Sequence, residues 1–267
     1  MLYANYHTHT WRCGHAAKQP DEDYVRAAID TGVKVLGFSD HCPWPYPEGS
    51  YKRGTRMHIS ELDEYIASIR GLVERYRDRI RIYVGLECEY YEEYLDSLKR
   101  YREMTDYLLL GVHWRRVEEN GEISYAEAVT PEQISWLAGN TIRGMKSGLF
   151  RYVAHPDHFL QSYPVFDECC EKLSRAICET AVQTGLPLEY NLGGVRKGTR
   201  GGFTGIGYPC RGFWEIAAQY GCRAIVGLDA HTTNPFYKPE MIAMIDRAEA
   251  TLRSLGMEPL RVLEDLA

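Results

Sequence analysis

Seven short apolar runs, each carrying a histidine, aspartate or glutamate at or near its C-terminal end, limit what this chain can fold into. They are YANYHTHT (3–10), VLGFSDH (35–41), IYVGLECEY (82–90), YLLLGVHW (107–114), RYVAHPDH (151–158), LPLEYN (186–191) and AIVGLDAH (224–231). Val, Ile, Leu and Tyr fill the runs and polar residues gather at their ends, the pattern of parallel strands buried on both faces. Segments of helical periodicity separate most of them. A chain of 267 residues with this alternation fits one α/β barrel domain spanning 1–267. In such a barrel the C-terminal strand ends form one rim, so side chains distant in sequence converge there. The residue types delivered to that rim are metal ligands, which predicts a barrel metallohydrolase.

Composition narrows the class further. The chain carries a net charge of −6 and a pI near 5.9, which argues against a dedicated nucleic-acid binder. No apolar run approaches the roughly 18 residues of a membrane span, so no membrane partner is expected. The N-terminus passes straight into a strand carrying His7 and His9, so no secretory segment is expected either. Eight cysteines without a CxxC or a regular framework read as reduced thiols in the cytoplasm.

Helix signals fill the gaps between the runs. Pro20 and Asp21 open a helix whose Val25, Ala28 and Ile29 share a face and which stops at Gly32. Ser60 begins another, with Asp63 as its capping partner and Leu62, Ile66, Ile69 and Val73 as a buried stripe. Thr130 before Pro131 caps a helix ending near Gly148, and Asp167 opens one through Leu173, Ile177 and Ala181 to Gly185. Further helices fit 92–104, 211–220 and 239–255. Three irregular stretches remain, at 42–57, 115–129 and 193–209, the last glycine-rich with Arg196, Lys197 and Arg200. All follow strands onto the same rim, as candidate walls of a substrate pocket.

His7 and His9 sit two apart, so on a strand both point to one side, and Asp229 and His231 repeat that spacing in the last run. Asp40–His41, Glu87, His113 and His155 end the runs between, and His15 lies in the first loop. An HxH pair alone is a weak signal. Seven of the nine histidines falling at these positions is a strong one. Imidazole and carboxylate suit zinc, iron or manganese, and at about four to six ligands per ion nine candidates imply two or three divalent cations.

The segments HTHTWRCGHA, FSDHCPWP, GLECEY, GVHW, AHPD, NLGGVRK and GLDAH occur in the order expected of the polymerase and histidinol phosphatase (PHP) family. The chain resembles that family along nearly its whole length. CGHA after HTHT and the N-x-x-G-x-R segment point to the stand-alone histidinol-phosphate phosphatase branch. The resemblance implies a distorted seven-stranded (β/α)7 TIM-like barrel with its metal site at the C-terminal rim. It further implies that His7, His9, Glu87 and Asp229 hold one metal, and that Glu87 bridges to a second with His113 and His155. His15, His41 and His231 would hold a third. The implied reaction is hydrolysis of L-histidinol phosphate to L-histidinol and phosphate, a step of histidine biosynthesis, with Glu87, Asp229 and His231 as catalytic residues.

Adjacent cations acidify a bound water and neutralise charge on phosphoryl oxygens, so the expected nucleophile is a hydroxide bridging the metals. GxSxG and P-loop patterns, which would signal other phosphate or acyl chemistry, are absent from the sequence. Phosphate recognition needs cations beyond the metals, and Arg196, the arginine of N-x-x-G-x-R, is the first candidate, with Arg56 second. Asp157 is a candidate to orient a ligand imidazole or touch substrate, and Glu89 to assist Glu87. His158 is read as a hydrogen-bonding rim residue and His58 as structural. Tyr46, Tyr51 and Tyr208 are candidates to stack on an imidazole, and Lys52, Arg53 and Lys197 to raise local potential. Three other readings compete: a phosphatase for another small phosphomonoester, an amidohydrolase barrel, and a metal-binding or polymerase-associated module. An amidohydrolase also begins with HxH but usually relies on a bridging lysine or equivalent carboxylate at a middle strand.

Overall fold

A computed structural model describes residues 2–46, 51, 54–115 and 124–266. Seven parallel strands run in sequence order, each paired with the next. They are β1 (Ala4–Asn5), β2 (Val35–His41), β3 (Arg81–Cys88), β4 (Tyr107–Leu110), β5 (Tyr152–Val153), β6 (Leu188–Asn191) and β7 (Ala224–Gly227). The chain just beyond β1 meets the chain beyond β7, where the amide of His9 donates to the carbonyl of Ala230 and that of Ala230 to His7. This contact joins the first strand to the last and turns the sheet into a barrel. The barrel is distorted: β5 touches β6 through the single register pair Val153–Leu188.

Most strands are shorter than the apolar runs, chiefly at the C-terminal end; β2 fills its run and β6 starts two residues late. Of the run 3–10 only Ala4–Asn5 ladders, and 111–114, 154–158 and 228–231 leave the sheet. Those residues turn over the rim, where the side chains of His113, His155, Asp229 and His231 face the site.

Along the middle strands side chains alternate between two cores. Leu36, Phe38, Ile82, Val84, Leu86, Leu108 and Leu110 pack outward beneath the helices. Val35, Tyr107 and Leu109 pack inward with Tyr6, Tyr152, Ile225 and Leu263. The inward parity continues to His41 on β2 and Glu87 on β3. Hydrophobic alternation therefore aims the site residues into the barrel mouth.

The helices among the described residues are α1 (Asp21–Asp30), α2 (Leu62–Tyr76), α3 (Leu95–Met104), α4 (Pro131–Lys146), α5 (Glu168–Thr184), α6 (Leu192–Thr199), α7 (Arg211–Gln219), α8 (Asn234–Tyr237) and α9 (Pro239–Ser254). Thr130 caps α4 with Gln133 as reciprocal partner, and Asp167 and Gly185 cap the two ends of α5. The cap ahead of α2 differs from the Ser60–Asp63 pair expected. His58 and Glu61 form it, on a 3-10 turn spanning Ile59–Glu61, because the His58 ring accepts from the Ser60 amide. On α2 the buried face is Leu62, Tyr65, Ile69, Leu72 and Tyr76, while Ile66 and Val73 are half-buried. The glycine-rich stretch is not wholly irregular: its first part is α6, capped by the Asn191 side chain on the Gly194 amide. Among the described residues no helix is long and apolar enough to cross a membrane.

Tyr107 fills the barrel beneath the rim only because β3 carries a glycine there. A Cβ on Gly85 would lie 2.4 Å from its ring. Gly85→Ala is expected to destabilise the fold by about 1–3 kcal/mol, as overpacking a core does, read from the midpoint of urea unfolding. An unchanged midpoint would contradict this packing.

Candidate metal centre

The rim residues converge on a cavity of about 450 Å³ whose lining includes His9, His15, His41, Glu87, His113, His155, Asp229 and His231. His7 lies just beneath, fully buried. All nine donors expected from the sequence are therefore brought together. Asn5 fixes the HxH segment: its side-chain amide donates to the His7 carbonyl and accepts from the Leu228 amide, tying β1 to β7.

Glu87 occupies the centre. Its Oε2 lies 3.5 Å from His7 Nε2, 3.5 Å from His9 Nε2 and 3.0 Å from His41 Nδ1. Its Oε1 faces the other way, 2.9 Å from His155 Nε2 and 3.4 Å from His113 Nε2. Asp229 Oδ1 completes the first group, 3.7 Å from His7 Nε2 and 3.4 Å from His9 Nε2. Ligands about 2.1 Å from one tetrahedral cation stand roughly 3.4 Å apart, so these spacings match a set of metal donors. On the remaining side His41 groups with His9 and His231, and His15 with Cys13 and His231. His15 Nε2 and His231 Nε2 lie 2.9 Å apart.

Two further observations fit cations. Among the described residues, His7 Nε2, both ring nitrogens of His9, and Glu87 Oε2 are buried without a hydrogen-bond partner. Native interiors leave few such atoms unsatisfied unless an ion or water takes them. The backbone also makes room for the carboxylates. A Cβ on Gly111 would come within 2.1 Å of Glu87 Oε1, and one on Gly193 within 2.3 Å of Asp229 Oδ2. Among the described residues the only non-glycine positions with positive φ are His155 (28°) and Asp229 (48°). Both belong to this cluster, where backbone strain is commonly stored.

The charges are strongly coupled. Burial alone would depress the pKa of His7, but Glu189, Glu87 and Asp229 outweigh it and raise it well above the usual imidazole range. His9 is likewise lifted against its burial, to about 9, by Asp229 and Asp40. His41 is pushed well below its ordinary value by burial and the neighbouring imidazoles His9, His113 and His15. Burial would raise Glu87 and Asp229, yet both are held well below the carboxylate range, chiefly by His113 and His7 for Glu87 and by His7 and His231 for Asp229.

An outer layer of polar residues holds the donors. Glu89 is buried and accepts from His113 Nδ1 at 3.1 Å, Trp44 Nε1 at 3.3 Å and the Arg56 guanidinium at 3.1 and 3.3 Å. Arg56 therefore lines the cavity with its head engaged by Glu89 and the Cys42 carbonyl. Arg196, on α6, also lines the cavity and donates to the carbonyls of Leu228 (2.7 Å) and Asp229 (2.8 Å). Lys197 Nζ donates to Gln161. Asp157 neither orients His155 nor faces the cavity. Its Oδ2 accepts from the Cys210 amide and Trp214 Nε1, because its turn directs it toward α7.

His158 also differs from expectation. Its ring lies 3.6 Å from that of Tyr125 and 4.4 Å from that of Tyr208, centroid to centroid, and neither nitrogen has a hydrogen-bond partner among the described residues. Tyr208 lines the cavity, whereas Tyr46 and Tyr51 pack on each other outside it. Lys52 and Arg53 lie outside the described residues. Sequence reasoning passed over Glu189, which is fully buried against His7, although the glutamate inside an apolar strand was its signal. It also missed Tyr125 and Trp114 in the wall, which no spacing marks.

Barrel, rim and donor cluster together define a metal-site α/β barrel of the phosphoesterase type, and comparison with known proteins agrees. Residues 5–192 match the PHP domain, and the chain belongs to that family. It is 25% identical over 252 residues to the histidinol-phosphatase of Bacillus subtilis, covering 84% of this chain and 92% of the relative. It is 32% identical over 256 residues to a Schizosaccharomyces pombe protein named "Probable histidinol-phosphatase", covering 84% and 79%. The fold resembles the crystal structure of histidinol phosphate phosphatase from Lactococcus lactis, complexed with zinc, L-histidinol and phosphate. That match has a TM-score of 0.72 at 16% identity, over 100% of this chain and 98% of that one.

Coordination requires neutral imidazole. With His9 raised to about 9 and His7 shifted in the same direction by Glu189, Glu87 and Asp229, protonation of these rings competes with metal at neutral pH. Metal uptake by stripped protein should therefore release protons at pH 7 and fewer at pH 10, with affinity rising between. Calorimetric titration in buffers of different ionisation enthalpy reads this directly. Uptake at pH 7 without proton release would contradict it.

Proposed function

We propose that this chain is a metal-dependent phosphomonoesterase hydrolysing L-histidinol phosphate to L-histidinol and phosphate, in the histidine biosynthetic pathway. The observation that carries this reading is the convergence of nine imidazole and carboxylate donors at one cavity, eight in its lining and His7 beneath, with three cationic side chains, Arg56, Arg196 and Lys197, in its wall. The curated histidinol-phosphatases it resembles supply the substrate. Residues 1–267 are read as one barrel domain.

In this reading His7, His9, Glu87 and Asp229 hold one divalent ion, Glu87 with His113 and His155 a second, and His15, His41 and His231 a third. Zinc, iron and manganese all suit these donors. Bound cations supply charge to the phosphoryl oxygens and acidify water near neutral pH. The protein's own groups do the rest. Arg196 presents its guanidinium to the phosphate end while anchoring the strand end that carries Asp229. Lys197 adds positive potential beside it. Asp229 is the site carboxylate with most access to the cavity, its side chain 14% exposed against 1% for Glu87. Its carboxylate is placed to take a proton from attacking water and return it to the departing alkoxide oxygen, with His231 Nδ1–H, 3.3 Å from Oδ1, orienting it. Tyr125, His158 and Tyr208 form the aromatic side of the cavity, against which a planar leaving group packs.

The alternative within the class is another small phosphomonoester, since the 193–209 segment builds much of the wall through Arg196, Lys197 and Tyr208. The enzyme is placed in the cytoplasm, in keeping with eight cysteines that all remain unpaired.

Metal-replete protein should release phosphate from L-histidinol phosphate in preference to other phosphomonoesters and lose that activity to chelator. Glu87→Ala should lower kcat/KM by at least about 10³-fold, roughly 4 kcal/mol of transition-state stabilisation. Arg196→Ala should raise KM as well as lower kcat. Undiminished turnover by the Glu87 variant would contradict the site. Metal-dependent release from other esters alone would leave the mechanism standing and remove the substrate.

A further inference from the structure

Glu189, on β6, is a fully buried carboxylate that the reaction as described does not use. Three elements meet on it. His7 Nδ1, on the chain leaving β1, lies 2.9 and 3.1 Å from its two oxygens. The His155 amide, just past β5, donates to Oε2 at 3.2 Å, and the Asn191 side-chain amide donates to the same oxygen at 2.8 Å. The adjacent strand is bare to admit it: a Cβ on Gly227 would lie 1.8 Å from Glu189 Oε1.

The nitrogen of His7 that meets Glu189 is the one turned away from Glu87 and Asp229. With Nδ1 donating to a carboxylate, the ring is held as the Nδ1–H tautomer and the Nε2 lone pair is directed at the donor group. The second contact falls on one of the two strained residues. His155 stands at φ 28°, a conformation that costs a residue with a Cβ free energy unless neighbours hold it. The hydrogen bond from the His155 amide to Glu189 is a direct tether on that turn. One carboxylate therefore sets the tautomer of one donor and the backbone of another, on opposite sides of Glu87.

We propose that Glu189 is a positioning residue of the metal centre, fixing His7 through its ring and His155 through its backbone so that both Nε2 atoms face Glu87. The proposal rests on the reading of this cluster as a metal site. It does not make Glu189 a ligand.

The test compares wild type with Glu189→Gln, whose amide keeps an acceptor for His7 but sets an N–H₂ among the N–H groups of His155 and Asn191. Metal retained against a graded series of chelator concentrations should show affinity about 10- to 100-fold weaker in the variant, the usual effect of removing such a partner. Its kcat should return toward wild type at saturating metal, and its Tm in that state should stay close to wild type. Equal metal affinity in the two proteins would overturn the proposal, whatever the variant's activity. A wild-type protein that retains no divalent metal would overturn the underlying reading instead. If the variant does not fold, the ring nitrogens of metal-loaded wild type decide the question by ¹⁵N NMR. A protonated Nδ1 on His7 supports the role, and a protonated Nε2 overturns it.

Discussion

The rim depends on a single buried carboxylate. Glu87 is 1% exposed, and five imidazoles, those of His7, His9, His41, His113 and His155, surround it at 2.9–3.5 Å. An ionised carboxylate removed from water is costly unless positive charge accompanies it. In the neutral form that ligates, imidazoles supply dipoles and lone pairs but no charge, and their lone pairs point at the same space. Glu189 and Asp229 crowd more negative charge into that volume. Divalent cations relieve both problems at once, which is why the donor set and its charge lead to the same conclusion.

The barrel makes this crowding possible by spending its glycines and its strain there. Gly111, Gly193 and Gly227 leave room for Glu87, Asp229 and Glu189 respectively. Positive φ at His155 and Asp229 turns two strand ends inward. The outer layer then restrains what the strands deliver: Glu89 holds His113, Arg196 holds the backbone at Asp229, and Arg56 balances Glu89. The same arginines line the cavity, so the side chains that restrain the donors also put positive charge beside them.

Much of this was legible in the sequence. Apolar runs reveal strands because both faces of a parallel barrel are buried, and their polar ends reveal the rim because only there does a strand end meet a shared cavity. The HxH and DxH pairs, Glu87, His113 and His155 were therefore readable by type and position. Where each strand stops was less so, because residues such as Tyr6 and Ala154 stay apolar after leaving the ladder. Charge alone could not place Arg56, whose partner Glu89 lies just past the end of β3. His58 proved to be a cap because an imidazole can accept an amide bond as serine does. The helix over Leu192–Thr199 was hidden by its two glycines near the start and is secured by the Asn191 cap. Glu189 was masked by its own surroundings, a lone acidic residue whose partners come from distant strands.

The most direct test of the account is anomalous X-ray scattering from crystals of the metal-loaded protein. Peaks within coordination distance of both Glu87 oxygens, one shared with His7, His9 and Asp229 and another with His113 and His155, are the predicted result. Fully loaded crystals with no anomalous peak at Glu87 would contradict it.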